Sequence, residues 1–187
     1  MKTKIAILGS TGSIGRSTLE VIKKDKKNFD VILLTANNNY KKLIQQAKEF
    51  NARSVLINNQ LYYKKVKNLL KKNRTKVYTG DISIKKIIRG KIDYTMSAIV
   101  GIAGLQPTVD AVQISKTVAI ANKETIICGW EILSKYIKKH KTKILPVDSE
   151  HFSIMELTKD ITDEEIEEII IIKNLLNKRR SSKLKMY

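Results

Sequence analysis

The chain has 187 residues and a formal net charge of +18, and hydrophobic residues make up 42% of it. That hydrophobic share is ordinary for a globular protein and excludes a wholly disordered one. No run approaches the roughly 20 apolar residues that span a membrane, and the N-terminus lacks the cleavage site of a signal peptide. The single cysteine, Cys128, excludes an internal disulfide. We therefore expect a soluble, cytoplasmic protein without a membrane partner.

The positive charge leaves two interpretations open. A basic excess of this size can serve nucleic-acid binding through phosphate contacts. The lysines, however, are spread along the chain in pairs, mostly on the polar faces of predicted helices, where water would solvate them. Zinc-ligand spacing, aromatic-rich RNA-binding strands and a helix-turn-helix pattern are all missing from the sequence. We expect no nucleic-acid partner, and a basic nucleic-acid-binding protein stays the less favoured alternative.

Residues 1–147 alternate short apolar runs of strand length with segments of helical apolar spacing. The helical spacing is clearest over 18–22, 43–50 and 61–70, and the predicted strands are 4–8, 31–34, 54–57, 76–78, 94–96, 118–120 and 143–145. Strands that alternate with helices and are apolar on both faces predict a parallel sheet covered on each side. The predicted fold class is α/β, a doubly wound parallel sheet of the Rossmann-like, dinucleotide-binding kind.

The alternation stops after Pro146, so residues 148–187 are predicted to be an incomplete second domain. They hold a carboxylate cluster, an acidic stretch in which Thr162 and Glu165 could cap a helix, and a basic tail. Before this boundary, Cys128 and Trp130 lie in an apolar helical stretch and are predicted to be core residues rather than catalytic ones.

Three glycines follow the first predicted strand and open the first helix, in the order Gly9-Ser-Thr-Gly12-Ser-Ile-Gly15. Glycines at such a turn let the backbone approach a pyrophosphate, and the helix N-terminus offers it free N–H groups. The spacing is a variant of the usual dinucleotide-binding pattern, and the position after a strand strengthens it. A tight strand-to-helix turn without a ligand is the alternative.

The end of the second strand indicates which cofactor is preferred. NAD-binding domains place an acidic residue there, about 20 residues after the glycines, to bind the ribose 2′-hydroxyl. Here Asn37, Asn38 and Asn39 occupy the corner, with Lys41 and Lys42 just after them and no acid within reach. Amides and ammonium groups can hold a 2′-phosphate that a carboxylate would repel. The corner favours NADP(H), unless the asparagines form only a loop.

Two further groups of polar residues follow predicted strands, where ligand-binding residues of parallel sheets collect. In Asn122-Lys123-Glu124 the lysine could bind a phosphate or a substrate oxygen, although Asn122 as a helix N-cap gives the same pattern. In Asp148-Ser149-Glu150 the two carboxylates could share Mg²⁺ or Mn²⁺, and Ser149 could bind a substrate hydroxyl. Two carboxylates are an incomplete site, because these cations favour about six oxygen ligands.

Four segments follow one another along the chain: the glycine turn, Ala-Ile-Val-Gly-Ile-Ala-Gly-Leu-Gln-Pro-Thr at 98–108, Ala-Asn-Lys-Glu at 121–124 and Leu-Pro-Val-Asp-Ser-Glu-His at 145–151. Together they resemble the 1-deoxy-D-xylulose 5-phosphate reductoisomerase family. The resemblance covers residues 1 to about 158. It implies an NADPH-dependent enzyme that rearranges and reduces this phosphosugar to 2-C-methyl-D-erythritol 4-phosphate, in the non-mevalonate route to isoprenoids. It also implies a divalent metal, Mn²⁺ or Mg²⁺, and a homodimer for full-length members.

The same resemblance implies roles for individual residues of this chain. Asp148 and Glu150 would ligate the metal, while Lys123, Ser149 and Glu150 would contact substrate as the catalytic set. The residues that would contact NADPH are Thr11, Gly12, Ser13, Ile14, Asn37, Asn38, Asn39, Asn122 and Glu124. Where members of the family often carry a basic residue at the second-strand corner, this chain has Asn38.

Family members are roughly twice as long, and residues 171–187 match nothing in them. The Ser-Gly-Gly-Pro-Phe loop, the mobile loop with His and Trp, and the Asn-Lys-Gly-x-Glu segment that complete the site in the family do not occur in this sequence. We therefore expect a truncated chain without turnover of its own. The alternative within the same lineage is a non-catalytic NADP(H)-binding remnant.

Overall fold

In the computed structural model, residues 1–147 and 149–162 are described, except for the side chains of residues 149–151. All seven predicted strands are present, and they form one parallel sheet. The strands are β1 (Thr3–Leu8), β2 (Phe29–Ala36), β3 (Ser54–Ile57), β4 (Lys76–Thr79), β5 (Ile92–Ser97), β6 (Ser115–Ile120) and β7 (Lys143–Pro146).

The connections between the strands are helical, as is usual in a parallel sheet, where each crossover must return the chain to the same edge. The helices are α1 (Ser13–Lys24), α2 (Tyr40–Glu49), α3 (Tyr63–Leu70), α4 (Ile84–Ile87), α5 (Leu105–Ile114), α6 (Lys123–His140) and α7 (Ser149–Thr158). Short 3-10 turns lie beside several of them. In the described part of the chain no helix is both long enough and apolar enough to cross a membrane.

The strand order is β4-β3-β2-β1-β5-β6-β7, so the chain runs outward from β1 in one direction and then outward from β5 in the other. This is the doubly wound α/β architecture that the alternating pattern predicts. The strand order could not be predicted, because the sequence pattern gives strands and not their neighbours. It reverses between β1 and β5, and ligands of such sheets bind beyond the carboxyl ends of the strands at this point.

Two apolar clusters hold the sheet, one on each face. On one face, Ile5 and Ile7 of β1 pack with residues of α1, α2 and α3. On the other, Ala6 and Leu8 pack with residues of α4, α5 and α6. Successive strand residues point to opposite faces, so a strand that serves both clusters needs consecutive apolar residues, as β1 has from Ile5 to Leu8. The register between β1 and β2 shifts once, where Ile5 pairs with Val31 and Ala6 with Leu33.

The chain separates into two compact units, Met1–Val147 and Asp148–Tyr187. The first holds the whole sheet. In the second, the described element is α7, in which the Thr158 hydroxyl donates back to the Ile154 carbonyl at 2.9 Å. Asp148 and the helix predicted from Thr162 onward lie outside the described residues, apart from Thr162 itself.

Candidate functional site

The turn between β1 and α1 needs glycine at two of its three glycine positions for reasons internal to the fold. Gly9 has φ +79°, and a Cβ there would lie 2.7 Å from the Ala98 carbonyl oxygen. A Cβ on Gly15 would lie 2.4 Å from the Gly9 carbonyl oxygen. Gly12 differs, because its φ is −73° and the nearest atom to a Cβ would be 3.4 Å away. The protein's own packing therefore does not explain the glycine at position 12.

Gly12 is the N-cap of α1, and no side chain of the described residues caps the helix. The first-turn N–H groups of Ser13 and Ile14 precede the first intrahelical bond, which Arg16 makes to the Gly12 carbonyl at 3.0 Å. Ser13 and Ile14 are exposed, Thr11 is half-buried, and the first turn holds no acidic residue. The turn thus presents the positive end of a helix and free N–H donors beside Gly12, which has no side chain to block the approach of a ligand. This arrangement is suited to binding an anion.

A buried network that the sequence did not reveal holds this turn in place. Ser10 is fully buried, and its hydroxyl donates to Gln46 Oε1 at 2.8 Å while Gln46 Nε2 donates to the Ser10 carbonyl at 2.8 Å. The end of β2 adds two bonds, from Gly9 N to Thr35 Oγ1 and from Ser10 N to the Thr35 carbonyl, both 2.9 Å. The glycine turn between β1 and α1 is therefore hydrogen-bonded to both β2 and α2.

The three corner asparagines follow β2, as predicted, and they are joined by two that the sequence analysis did not single out. Asn59 Nδ2 donates to Asn38 Oδ1 at 2.9 Å, and Asn58 N donates to the Ala36 carbonyl at 2.9 Å. Asn39 is the N-cap of α2, since its Oδ1 accepts from Lys42 N at 3.1 Å. The corner is therefore an ordered amide surface at the carboxyl ends of β2 and β3.

Aromatic and basic side chains stand beside this amide surface. Tyr40 and Tyr62 stack with ring centroids 4.6 Å apart, and Lys65 Nζ lies 4.8 Å from the centroid of the Tyr40 ring. A hydrogen bond from Lys65, helped by its charge and that of Lys41, lowers the pKa of the Tyr40 hydroxyl. Lys65 of α3 thus places a cation near the corner. The corner residues at the end of β2, Asn37 to Asn39, supply only amides.

The 98–108 segment forms the loop after β5 and the start of α5, and Asn122 fastens it to α6. Asn122 is 3% exposed, and its Nδ2 donates to the carbonyls of Ile99 at 2.5 Å and Gly101 at 2.7 Å. Its Oδ1 accepts from Thr125 N at 3.1 Å, so Asn122 is also the N-cap of α6. A Cβ on Gly104 would lie 2.6 Å from Asn122 Nδ2, which explains the glycine there.

The side-chain amide of Asn122 is thus engaged within the protein, as the N-cap alternative predicts, and a contact with NADPH stays a prediction. Lys123 is exposed and Glu124 is half-buried in the first turn of α6. Both follow β6 at the carboxyl edge of the sheet, the edge that carries the glycine turn and the asparagine corner. The structure therefore brings the predicted residues of strands β1, β2 and β6 to one edge.

The predicted metal site lies outside the described residues. Asp148 is not described, and the side chains of Ser149 and Glu150, at the start of α7, are not described either. Among residues whose side chains are described, no three His, Cys, Asp or Glu groups gather closely enough to hold a metal ion. The metal ligands and the substrate contacts at 149 and 150 stay predictions.

The prediction that Cys128 and Trp130 are core residues is wrong. Cys128 is exposed and Trp130 is 52% exposed, because α6 buries the side that carries Thr125, Gly129 and Leu133 instead. The apolar residues of α6 are spread around the helix, so the sequence did not show which side faces inward. Leu61 and Leu69 are exposed for a similar reason, while Val66 and Leu70 of the same predicted helix are fully buried.

A doubly wound parallel sheet with a glycine turn at its point of strand-order reversal defines a Rossmann-like domain. The family model for 1-deoxy-D-xylulose 5-phosphate reductoisomerase matches residues 5–129 of this chain. The chain therefore belongs to the 1-deoxy-D-xylulose 5-phosphate reductoisomerase family.

Curated relatives of that name include the protein of Pelagibacter ubique, 51% identical over 170 residues, and that of Bacteroides fragilis, 40% identical over 171. These matches cover 90% and 91% of this chain, and the chain spans 44% of the length of each relative.

Solved structures agree with the fold. The enzyme of Zymomonas mobilis, in complex with NADPH, superposes with a TM-score of 0.77 at 38% identity, over 81% of this chain and 40% of its own. A reductoisomerase in complex with NADPH, fosmidomycin and magnesium superposes with a TM-score of 0.74 at 34% identity, over 80% of this chain and 37% of its own. The architecture that the sequence predicted is thus that of the matching part of these enzymes.

Proposed function

We propose that this chain provides the NADPH-binding domain of a reductoisomerase that converts 1-deoxy-D-xylulose 5-phosphate to 2-C-methyl-D-erythritol 4-phosphate. The observation that carries the proposal is Gly12. Its missing side chain has no cause in the protein's own packing, and it stands at an uncapped helix N-terminus. A dinucleotide pyrophosphate that approaches the backbone closely explains the glycine and uses the free N–H groups.

In this proposal Thr11, Gly12, Ser13 and Ile14 hold the pyrophosphate through backbone N–H groups. The buried bonds between Ser10 and Gln46 keep those donors in position before the ligand arrives. A turn that is already ordered loses little conformational entropy on binding, so more of the interaction free energy appears as affinity.

The asparagine corner would receive the ribose and the 2′-phosphate. Asn37, Asn38 and Asn39 offer amide donors, and Lys65 adds a cation close to Tyr40. A fixed cation strengthens phosphate binding more than a neutral donor does, because charge-assisted hydrogen bonds are about twice as strong. Lys65 thus supplies from α3 the positive charge that Asn38 does not carry.

Bound NADPH supplies the hydride for the reduction step. Asn122 acts as a positioning residue that fixes the 99–101 loop against α6, and Lys123 and Glu124 follow it at the same edge. Lys123 would contact the anionic substrate and Glu124 the cofactor. Residues 148–187 would begin the catalytic domain, with Asp148 and Glu150 as the first two ligands of a Mn²⁺ or Mg²⁺ ion.

Cofactor binding is tested on the chain itself by NADPH fluorescence and by thermal unfolding with and without the cofactor. We expect saturable binding with a Kd below about 1 mM, which corresponds to about 4 kcal/mol. The same titration with NADH should show weaker binding, because NADH lacks the 2′-phosphate. Absence of any fluorescence change or stabilisation by NADPH at millimolar concentration would contradict the proposal.

The reaction is tested with a chimera in which residues 1–158 are joined to the part of the Pelagibacter ubique protein that follows its matching segment. We expect oxidation of NADPH that depends on 1-deoxy-D-xylulose 5-phosphate and on a divalent metal. A matched chimera with Gly12→Asp should lose this activity, because a carboxylate at the turn repels the pyrophosphate. A folded chimera that binds NADPH but never turns over would instead favour the non-catalytic remnant.

A further inference from the structure

A cavity of about 590 Å³ lies at the opposite edge of the sheet from the glycine turn. Its lining includes Ser54, Lys76 and Ile92, which are the first residues of β3, β4 and β5. Parallel strands place all their amino ends at one edge and all their carboxyl ends at the other, so this cavity and the proposed NADPH site are separate. Its volume is within the range of about 300 to 1,000 Å³ typical of small-molecule sites.

The lining of the cavity is strongly basic. Seven of its sixteen residues are Lys or Arg and none is acidic, whereas 36 of the 187 residues of the chain are basic. One of the seven, Arg53, is ion-paired with Asp30. No carboxylate of the described residues lies within ion-pair distance of the other six, which are Lys4, Arg74, Lys76, Lys86, Arg89 and Lys91.

The side chains of this cluster carry like charge, and a bound anion would reduce the repulsion between them. Ammonium groups repel each other even in water, and a concave surface lined by one sign of charge attracts ions of the opposite sign. Lys86 belongs to α4 and Arg89 lies two residues after its end, whereas Lys4 belongs to β1 and Lys76 to β4. Cations from separate elements can therefore reach more than one phosphate of the same ligand.

The cavity also has an apolar wall. Ile32, Tyr78 and Ile87 are half-buried, and Ile88 and Ile92 are each only 3% exposed. This wall favours a ligand that carries an apolar or aromatic body beside its charges. A concave site of this size also suits a small molecule better than a nucleic-acid duplex, which needs an extended surface.

We propose that this cavity is a second ligand site, which binds a small molecule bearing two or more linked phosphate groups. Arg89, Lys86 and the cations of the strand ends bind the phosphates, and Tyr78 and Ile32 contact the body of the ligand. Arginine suits this role because its planar guanidinium can donate two parallel hydrogen bonds to one phosphate.

Isothermal titration calorimetry tests the proposal on the full chain saturated with NADPH, in buffer free of divalent metal. The probes are inorganic tripolyphosphate and ATP, which share the phosphates and differ in the aromatic body. The test variant is Lys86→Glu with Arg89→Glu, since both side chains are exposed and neither residue lies in a strand. The matched control is Lys24→Glu with Lys67→Glu on α1 and α3, which pack on the other face of the sheet.

We expect saturable binding of about one ligand per chain, weakened at least about tenfold in the test variant, since each hydrogen bond to a charged group is worth a factor of ten or more. The control variant has the same change in net charge, and its affinity for the probes should differ from that of the unmodified chain by less than about threefold. Tighter binding of ATP than of tripolyphosphate would show that the apolar wall contributes, and equal binding would show that phosphates suffice. Either supports the proposal.

Three outcomes would overturn it. In the first, neither probe binds saturably in the presence of NADPH. Any binding seen without NADPH would then be binding to the cofactor site. Another is equal weakening in the test and control variants, which would reflect net charge alone. The third is tight binding of duplex DNA that the test variant loses while neither small anion binds, which would assign the basic surface to nucleic acid.

Discussion

Ser10 and Gln46 exchange two hydrogen bonds, each 2.8 Å long, between the glycine turn and α2. Both side chains are almost fully buried, with Ser10 at 0% and Gln46 at 3% exposure. The pair fixes the carbonyl and the side chain of the residue that follows Gly9. It therefore determines where the N–H donors of the next residues point.

The first prediction concerns Gln46. Gln46→Leu leaves the Ser10 carbonyl without its buried partner, so we expect a loss of about 1 to 3 kcal/mol in the free energy of unfolding. NADPH affinity should fall as well, because the turn is no longer held. Urea unfolding and NADPH fluorescence measure the two effects. Gln45→Leu is the matched control, since Gln45 is exposed and its side chain bonds, among the described residues, only to Lys42 at 3.2 Å. Equal losses in both variants would refute the role of Gln46.

The second prediction concerns Asp93 at the amino-terminal edge of the sheet. The Lys116 ammonium at 2.8 Å and the backbone N–H of Lys4 at 2.9 Å lower the pKa of the Asp93 carboxyl. A carboxyl with a lowered pKa stabilises the fold above its unfolded-state pKa of about 3.9. That contribution is lost as the pH falls through the lower pKa of the folded state.

Asp93→Asn should therefore reduce stability at neutral pH by about 0.5 to 1 kcal/mol, a small value because the side chain is 35% exposed. The difference between the two chains should shrink as the pH falls below about 4. Denaturant unfolding at a series of pH values measures it. Asp81→Asn, at an exposed position, should show little change, and a deficit in Asp93→Asn that persists at the lowest pH would refute an ionic origin.

Local patterns predicted the seven strands and the glycine turn, because each of these features depends on residues that are consecutive in the chain. The apolar runs of the central strands continue over both faces, and only a sheet covered on both sides can bury such a run. The steric need for Gly9 and Gly15 is likewise local to one turn.

What the sequence did not reveal depends on residues far apart in the chain. Gln46 lies 36 positions from Ser10, and no pattern of residue types connects them. Asn59 meets Asn38 only because β3 pairs with β2 in a particular register. The basic cavity is similar, since its lysines and arginines come from strands, a helix and loops that meet only in the folded domain.

The third prediction tests the preference for NADPH. Asn38→Asp places a carboxylate at the corner where the 2′-phosphate is expected, while the hydrogen bond from Asn59 Nδ2 can persist. NADPH affinity should fall about tenfold or more, because one repulsive charge pair at about 4 Å costs on the order of 1 to 4 kcal/mol. NADH affinity should change little. Asn68→Asp, an exposed position on α3, makes the same change in net charge. If the two variants lose NADPH affinity equally, the corner does not hold the 2′-phosphate.

The last prediction separates the three glycines. Gly15→Ala should destabilise the domain by more than about 2 kcal/mol, since its Cβ would lie 2.4 Å from the Gly9 carbonyl oxygen and 2.6 Å from Ser10 Cα, both backbone atoms. Gly12→Ala should cost no more than about 1 kcal/mol, because its φ of −73° suits any residue and its Cβ meets nothing closer than 3.4 Å, so that only the poorer N-cap preference of alanine counts.

Gly12→Ala should affect the affinity for NADPH more than the stability of the domain. Gly12→Ala should lower the melting temperature of the free chain only slightly and yet weaken NADPH binding by about tenfold or more, since its methyl group occupies space that the pyrophosphate needs. Circular dichroism melting and NADPH fluorescence on the same samples measure both quantities. A Gly12→Ala chain that is stable and binds NADPH as tightly as the original would mean that the glycine serves only the turn. It would also remove the observation on which the proposed cofactor site rests.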